Sequence, residues 1–236
     1  MTGGWSGPWL DYGGLLWCLA CWVGYTLYAD NRKSGTLMCA MHDYRVKWMT
    51  RMLKRDLRIG DMTVLSMSMQ NVGLFASTSI IIVGGLLALL GSLETARDVA
   101  SDLIEFLRPA SREIWEMRLL TLALVFTYAF FKFAWALRQF NYTAVVVGAA
   151  PLFNEETPER EGYAERAAWI GTLAVRSYNR GIRAYYYGLA VLTGFLHPLA
   201  LIAAAIWVTG ILYRREFRSA TLKALTLPSE QLDKLS

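Results

Sequence analysis

The chain has few residues of the kinds that most often carry chemistry. Its 236 residues include three cysteines and two histidines, and the HExxH, GxSxG, Walker and dinucleotide-binding glycine motifs are all missing. Three scattered cysteines give no disulfide framework. Charged residues make up only 18% of the chain, which is low for a soluble domain. We therefore expect a protein that is not an enzyme and that holds no metal and no cofactor.

Apolar residues are abundant instead. They make up 55% of the chain, and they cluster in blocks of about 20, the length that crosses a hydrocarbon core. Nine Trp and 12 Tyr fit aromatic belts at two membrane interfaces. The sequence predicts an all-α membrane protein, a bundle of four transmembrane helices with amphipathic surface helices, in one membrane domain over residues 1–236.

The apolar blocks and the segments between them place the elements. The predicted spans are residues 8–29, 70–91, 117–141 and 184–213. The predicted surface helices are residues 36–59, 94–108 and 161–180. Asp61 to Gly91 is expected to form one long helix, and a later helix is expected to begin after Ser111 and to stop before Pro151.

Two features shape the last part of the predicted fold. Gly181 is expected to end the last surface helix and so to separate it from the last span. The dipeptide His197-Pro198 lies near the middle of that span, and we expect a kink there because proline removes one helix hydrogen bond.

Loop charges predict the orientation in the membrane. Eight Lys and Arg lie between the first two spans and six between the last two, whereas four and five lie in the other loop and in the tail. The positive-inside rule then places both termini on the outer, periplasmic side. The N-terminal stretch lacks the basic region of a cleaved signal peptide, so the first apolar block is expected to be retained.

The basic segment after the first span has the pattern of an amphipathic helix. Met41, Tyr44, Trp48 and Met52 recur at spacings of three and four, with Lys and Arg on the other side. This pattern predicts a helix that lies in the membrane surface. The alternative is a cytosolic helix that packs on the bundle.

Polar residues within or beside the apolar blocks are the candidates for a functional role. Ionisable groups at membrane depth are costly and usually face a partner, a cavity or the interface. The stretch AFFKFAWALRQFNYTAVVVGAAP, residues 129–151, stands out for this reason. The predicted intramembrane polar residues are Asp61, Asn71, Ser77, Thr78, Lys132, Gln139, Asn141 and His197.

A second set is expected at the cytosolic membrane edge, where guanidinium groups outnumber carboxylates. The candidates for binding a lipid headgroup or a small anion are Arg58, Arg138, Arg180, Arg183 and Tyr185. Two other interpretations remain open. Arg138 or Lys132 pairs with Asp61 or Asp56 and locks the helices together, or Lys132 forms a proton or ion path with Asp61 or His197.

Small residues on the second span predict close helix contacts. Ser77, Thr78, Ser79, Gly84 and Gly85 allow helices to approach and to form interhelical hydrogen bonds. Cys18 and Cys21 share one face of the first span. Their spacing is compatible with a redox or metal pair, but we interpret them as small packing residues.

Five stretches are distinctive in combination: MHDYRVKWMTRMLKRDLRIGDMTVL, LFASTSIIIVGGLLALLGS, FKFAWALRQFNYTAVVVGAAP, NRGIRAYYYGLAVL and LYRREFRSATL. Together they resemble a widespread four-span membrane family that is catalogued as domain of unknown function 599. The resemblance covers nearly the whole chain, from about Trp9 to Leu225. It implies an integral membrane protein of the bacterial inner-membrane type and implies no activity.

These observations lead to a prediction of function. We expect a non-enzymatic scaffold or accessory subunit that binds anionic lipid and assembles with itself or with a larger membrane complex. The net charge of +5 is attributed to anionic headgroups, and no nucleic-acid partner is expected. The alternative is a transporter or channel for small ions or solutes that uses the polar residues of helices two to four. An enzyme that acts on lipids comes third.

Overall fold

The computed structural model describes residues 8–103 and 111–226, and all regular secondary structure within these ranges is helical. A 3₁₀ turn occupies Pro158–Arg160. The α-helices are α1 (Pro8–Asn31), α2 (Leu37–Met52), α3 (Ile59–Gly91), α4 (Leu93–Leu103), α5 (Arg112–Gly148), α6 (Tyr163–Thr193), α7 (Pro198–Phe217) and α8 (Ala220–Thr226). The all-α prediction is confirmed for the described residues. Residues 104–108, predicted as the end of a surface helix, lie outside them.

Three helical stretches of the described chain are long and apolar enough to cross a membrane. They are α3, α5 and Pro198–Thr226, the stretch that holds α7 and α8. The first predicted span forms helix α1 but is not one of the three. The prediction of a membrane-type helical protein is therefore supported, whereas the bundle of four spans is supported only in part.

The two longest helices begin and end close to the predicted positions. Helix α3 runs without interruption past its polar start at Asp61 to Gly91. The Ser111 hydroxyl accepts a hydrogen bond from the backbone N–H of Ile114 at 3.4 Å, as expected of a residue that caps the start of α5. Helix α5 ends at Gly148, ahead of Pro151.

The predicted break at Gly181 is wrong. Helix α6 passes through this residue. Gly181 is buried, and its neighbours Ala184 and Tyr187 are buried too. A glycine inside a helix costs only about 1 kcal/mol relative to alanine. The burial of the following residues offsets that cost, so the helix continues.

The chain breaks instead at residues 194–197, so the predicted span 184–213 is two helices and not one kinked helix. A Cβ atom at Gly194 would lie 3.0 Å from the carbonyl oxygen of Val191, which explains why the turn begins at a glycine. Pro198 then starts α7, at a position where its missing N–H leaves no hydrogen bond unmade.

The described residues group into two compact units. Unit 1 contains the described parts of Met1–Asn31, Ser77–Phe130 and Gly181–Leu212. Unit 2 contains the described parts of Arg32–Ala76, Phe131–Arg180 and Tyr213–Ser236. Helices α3, α5, α6 and α7 each contribute one part to each unit.

Unit 1 is built around an apolar cluster to which α1, α3, α5, α6 and α7 contribute. Cys18 and Tyr187 are fully buried in it. The Tyr187 hydroxyl lies 2.7 Å from the Thr209 hydroxyl and donates to the Cys21 carbonyl at 3.3 Å. Both cysteines carry free thiols. Their surroundings support the packing interpretation.

A hydrogen bond joins α3 to α6 in unit 1, as the small residues of the second span predict. The hydroxyl of Ser79, which is fully buried, lies 2.9 Å from the Tyr185 hydroxyl. Among the described residues, Gly84 and Gly85, unlike Ser79, have no packing partner close to them. A Cβ atom added at Gly84 or Gly85 would meet nothing within 4 Å, so neither glycine is needed for a close contact within the described chain.

Helix α2 packs in unit 2 through some of its apolar side chains only. The Thr36 hydroxyl accepts from the Cys39 N–H at 3.1 Å and caps the helix. Met49 and Met52 are buried, whereas Met41 and Tyr44 are exposed. The predicted apolar stripe is therefore exposed near the start of the helix and buried toward its end.

Helix α8 also contacts α2. Just ahead of it, the Glu216 carboxylate accepts a hydrogen bond from the Met38 N–H at 3.1 Å. The first basic segment and the segment after α7 thus lie together in unit 2.

Candidate functional site

A groove lies between α2 and the beginning of α6, within unit 2. Its volume is about 900 Å³. Helix α2 contributes Asp43 and Lys47, and α6 contributes Glu165 and Arg166. All four charged side chains are exposed, and within the described chain no ion pair joins any two of them. The groove therefore offers two positive and two negative groups to whatever enters it.

The histidine that lines this groove has a fixed tautomer. The Thr172 hydroxyl donates to the Ala168 carbonyl at 2.8 Å, so its oxygen can only accept from other groups. Arg45 donates to it at 3.1 Å, and His42 Nδ1 lies 2.8 Å away. Nδ1 of His42 must therefore carry the proton. In the neutral ring Nε2 is then the acceptor.

The same cluster adds an aromatic wall and a half-buried cation. The His42 ring meets the Trp169 ring edge to face, with centroids 5.2 Å apart, and Trp169 is half exposed. Burial lowers the pKa of Arg45 to about 10, which leaves its guanidinium charged at neutral pH. Arg45 thus donates to Thr172 as a charged group.

Two arginines tie the loop that follows α2 to the loop that follows α5. Arg58, from the first loop, donates to the carbonyls of Ala150 at 2.7 Å and Val147 at 3.3 Å. Arg160, from the second loop, donates to the Leu53 carbonyl at 2.9 Å. Each arginine reaches into the other's loop, and we call Arg58 and Arg160 the reciprocal arginine pair. Arg58 satisfies carbonyls that the end of α5 leaves without helical partners.

Two further contacts hold the same part of unit 2. The Asp61 carboxylate is buried and accepts from Trp48 Nε1 and from Arg55, both at 2.6 Å. The Tyr163 hydroxyl donates to the Val146 carbonyl at 2.6 Å. Partial burial raises the pKa of Tyr163, which favours the protonated hydroxyl that this bond requires.

The residues predicted to bind lipid or an anion do not lie together as one group. Arg58 is used by the reciprocal arginine pair. In unit 2, Arg138 is exposed and Arg180 is half-buried. These positions leave the binding role of the set as a prediction.

The other two members of that set lie in unit 1. Arg183 is buried, pairs with Asp30 at 2.8 Å and lies over the Tyr25 ring at 5.4 Å. Tyr185 is half-buried and bonded to Ser79. Arg183 therefore has an internal counter-ion that the sequence did not indicate.

The predicted intramembrane residues fall into different environments. Gln139 is buried and accepts from the Ser177 hydroxyl at 2.7 Å, which joins α5 to α6. His197 is not mid-span: it lies in the turn before α7 and accepts from the Leu199 N–H at 3.1 Å. The exposed members are Asn71, Ser77 and Asn141, and the half-buried members are Thr78 and Lys132.

These positions bear on the interpretation as a proton or ion path. Asp61 is paired with Arg55, and His197 serves the first turn of α7. Asp61 and His197, the two residues considered as partners of Lys132, therefore each form a contact that stabilises the fold. The transporter alternative stays a prediction without a specific contact in its favour.

Sequence reasoning missed the most deeply buried ion pair of the described residues. Arg118 of α5 pairs with Asp11 of α1, and both side chains are buried. It also missed Thr172 and Arg160. A signal for the ion pair was present, because each partner is a single charge inside or beside an apolar run of membrane length.

A family model described as "Protein of unknown function, DUF599" matches residues 14–221. No curated protein and no solved structure matches the chain. Because the match covers most of the 236 residues, the chain belongs to this family.

Proposed function

We propose that this DUF599 protein is a multi-pass inner-membrane protein that acts as a scaffold or accessory subunit and not as an enzyme. It binds anionic lipid at the cytosolic membrane surface and assembles with itself or with a larger membrane complex. The observation that carries the lipid part of the proposal is the exposed face of α2 and of the turn after it.

That face combines cations with amphipathic side chains. Met41, Tyr44, Lys47, Arg51 and Lys54 are all exposed, at spacings of three or four residues that keep them on one side. Lys47 Nζ lies 4.7 Å from the centre of the Tyr44 ring. Cations beside an aromatic residue and a methionine on an exposed helix face suit a layer of anionic headgroups. The opposite side of α2 packs on the protein and fixes this face.

The lipid proposal is tested with the variant Arg51→Gln/Lys54→Gln, which leaves the α2–α6 groove intact. The variant is placed in nanodiscs that contain phosphatidylglycerol, and retained lipid is measured by native mass spectrometry. We expect retention of this lipid to fall roughly ten- to thirtyfold, because each cation contributes ~1 kcal/mol to binding. The matched control is Lys33→Gln/Lys223→Gln, which removes two exposed cations from other places. Equal retention by both variants would contradict the proposal.

Contacts within unit 2 lead to a proposal about sidedness. Helix α2, helix α8 and the two loops tied by the reciprocal arginine pair belong to one contacting unit, so they lie on one side of the membrane. The chain then crosses an even number of times between the second loop and α8. Because α7 lies in a candidate span, we propose that the C-terminal part of α6 crosses as well, although α6 is not one of the three candidate spans.

With α1 included, this gives five crossings in place of the four predicted. The N-terminal end of α1 lies outside, and α2 and α8 lie in the cytosol. The basic residues at 214, 215, 218 and 223 then join those of the first loop on the inner side, as the positive-inside rule favours. This arrangement replaces the predicted outer position of the C-terminal tail.

Single-cysteine labelling tests the sidedness. In a background without the native cysteines, we expect Leu196→Cys to react with a membrane-impermeant maleimide added outside. We expect Lys223→Cys to react only after the membrane is permeabilised. Both positions are exposed in the structure, so burial does not mask the result. Labelling of both from the same side would overturn the five-crossing arrangement.

The assembly part of the proposal is supported by an exposed line of small residues on α3. Ser77, Gly84 and Ala88 are exposed on a helix that is apolar enough to span the membrane. Small residues let helix backbones approach closely in lipid, where apolar burial alone gives little drive for association.

We expect Gly84→Ile to shift the protein toward monomers in native mass spectrometry. Leu89→Ile, an exposed position on another side of α3, is the matched control and should leave the oligomer unchanged. An identical distribution for the two variants would remove this face from the proposal.

A further inference from the structure

We propose that the groove between α2 and α6 binds a phospholipid headgroup that carries both a phosphate and a primary ammonium, as phosphatidylethanolamine does. The inference rests on the proposed membrane-surface position of α2. It concerns a different ligand, however, because the exposed face of α2 is basic whereas the groove, which shares Lys47 with that face, carries both signs of charge.

The charges of the groove match a zwitterion better than an anion. Lys47 and Arg166 supply cations for a phosphate, and Asp43 and Glu165 supply carboxylates for an ammonium. These four groups are not paired with one another within the described residues. A headgroup with only negative charge would meet repulsion from the two carboxylates, and like-charge contacts are a common source of specificity.

His42 distinguishes a primary ammonium from a quaternary one. Its Nδ1 proton is committed to Thr172, so Nε2 of the neutral ring is an acceptor in a groove that His42 lines. A primary ammonium has three N–H donors, whereas a choline headgroup has none. The groove is therefore expected to prefer ethanolamine over choline headgroups. The half-exposed ring of Trp169 adds a face for the same positive charge.

The remaining lining suits the part of the lipid below its headgroup. Val46 and Ile170 are half-buried and apolar, and they lie in the groove with Trp169. A volume of about 900 Å³ holds a headgroup together with its glycerol portion. The groove is also open, so a lipid can enter it from the membrane surface.

The test uses the variant Asp43→Asn/Glu165→Gln, which keeps the shape of both side chains and removes their charge. The full-length protein is placed in nanodiscs of phosphatidylethanolamine, phosphatidylcholine and phosphatidylglycerol in equal parts, and retained lipid is measured by native mass spectrometry. We expect wild-type protein to retain phosphatidylethanolamine in preference to phosphatidylcholine. We expect the ratio of the two retained lipids to fall about tenfold in the variant. Retention of phosphatidylglycerol should not fall.

The matched control is Asp56→Asn/Glu156→Gln, which removes two exposed carboxylates of unit 2 outside the groove. It should keep the wild-type preference, and an equal loss in the control would overturn the groove as the site. If wild-type protein retains phosphatidylethanolamine and phosphatidylcholine equally, ammonium recognition is wrong.

The results also separate this inference from the proposed function. Loss of phosphatidylglycerol in Arg51→Gln/Lys54→Gln with an intact ethanolamine preference supports two sites. Retention of phosphatidylglycerol without any ethanolamine preference overturns the groove and leaves the proposed function standing. Failure to retain any of the three lipids overturns both.

Discussion

The two units use arginine in different ways. In unit 1, Arg118 and Arg183 are buried and each pairs with a carboxylate of α1. In unit 2, Arg58 and Arg160 donate mainly to backbone carbonyls at loops and at a helix end. The two buried arginines of unit 1 are neutralised by carboxylates, whereas Arg58 and Arg160 satisfy the backbone and stay positive. Unit 2 also contains one neutralised arginine, because Arg55 pairs with Asp61. Access to water explains the difference, because a buried unpaired charge is far more costly than an exposed one.

Helix α1 benefits most from the pairing in unit 1. It is not among the three helical stretches that qualify as spans by length and composition. Asp11 near its beginning is tied to α5, and Asp30 near its end is tied to α6. Two acids that weaken its apolar character thus become its attachment points.

The largest effect is expected from breaking the buried pair in unit 1. Arg118→Ala leaves Asp11 buried without a counter-ion, which typically costs about 3–5 kcal/mol of unfolding free energy. Unfolding in mixed detergent micelles measures this loss. Asp11→Asn/Arg118→Ala should recover part of it because no buried charge remains.

The matched control for this prediction is Arg112→Ala, at the start of the same helix. Arg112 forms exposed ion pairs with Glu94 and Glu116, so its loss should cost no more than about 1 kcal/mol. Equal destabilisation by the two alanine variants would remove the contrast between buried and exposed charges.

A smaller effect is expected in unit 2, from Arg58→Ala. The carbonyls of Val147 and Ala150 lose a charged donor, at a cost of about 1.5–3 kcal/mol. Hydrogen exchange in the last turn of α5 should rise. Arg58→Lys should recover only part of the stability, because an ammonium cannot match the fork of a guanidinium. Full recovery by lysine would mean that positive charge alone is sufficient.

The smallest effect is expected from Arg160→Ala. Its partners in its own loop, the carbonyls of Leu152, Phe153 and Glu155, are exposed, so water replaces the lost donor there. With the loss of the bond to the Leu53 carbonyl included, the cost is about 1 kcal/mol. Limited proteolysis should cut the loop around residues 152–161 faster. Glu156→Ala in the same loop is the control and should be cut at the wild-type rate.

The positions of the long helices could be predicted from the sequence, because apolar runs and capping residues act locally. Ser111 and Pro151 frame α5 on this basis. The two glycines could not be distinguished in the same way. Gly181 lies inside a helix because its surroundings are packed, and Gly194 lies in a turn because of a nearby carbonyl. Both causes depend on tertiary neighbours.

The candidate site was harder to predict for the same reason. Arg58 was singled out as a binding residue, but its role depends on the end of α5, which lies about 90 residues away in the chain. The sequence pattern assigned no role to His42. Its importance arises from Thr172, whose hydroxyl has a single proton and three neighbours. Such a network has no sequence pattern.

The bond between Met38 and Glu216 joins positions 178 residues apart. During synthesis α2 leaves the ribosome long before its partner segment exists, so its final packing waits for α7 to be inserted and released. With α2 at the membrane surface, as proposed, its exposed cations have access to lipid headgroups in that interval. Under that proposal, lipid can hold α2 until Glu216 has been synthesised, so the wait is at least as long as the translation of the residues between Met38 and Glu216.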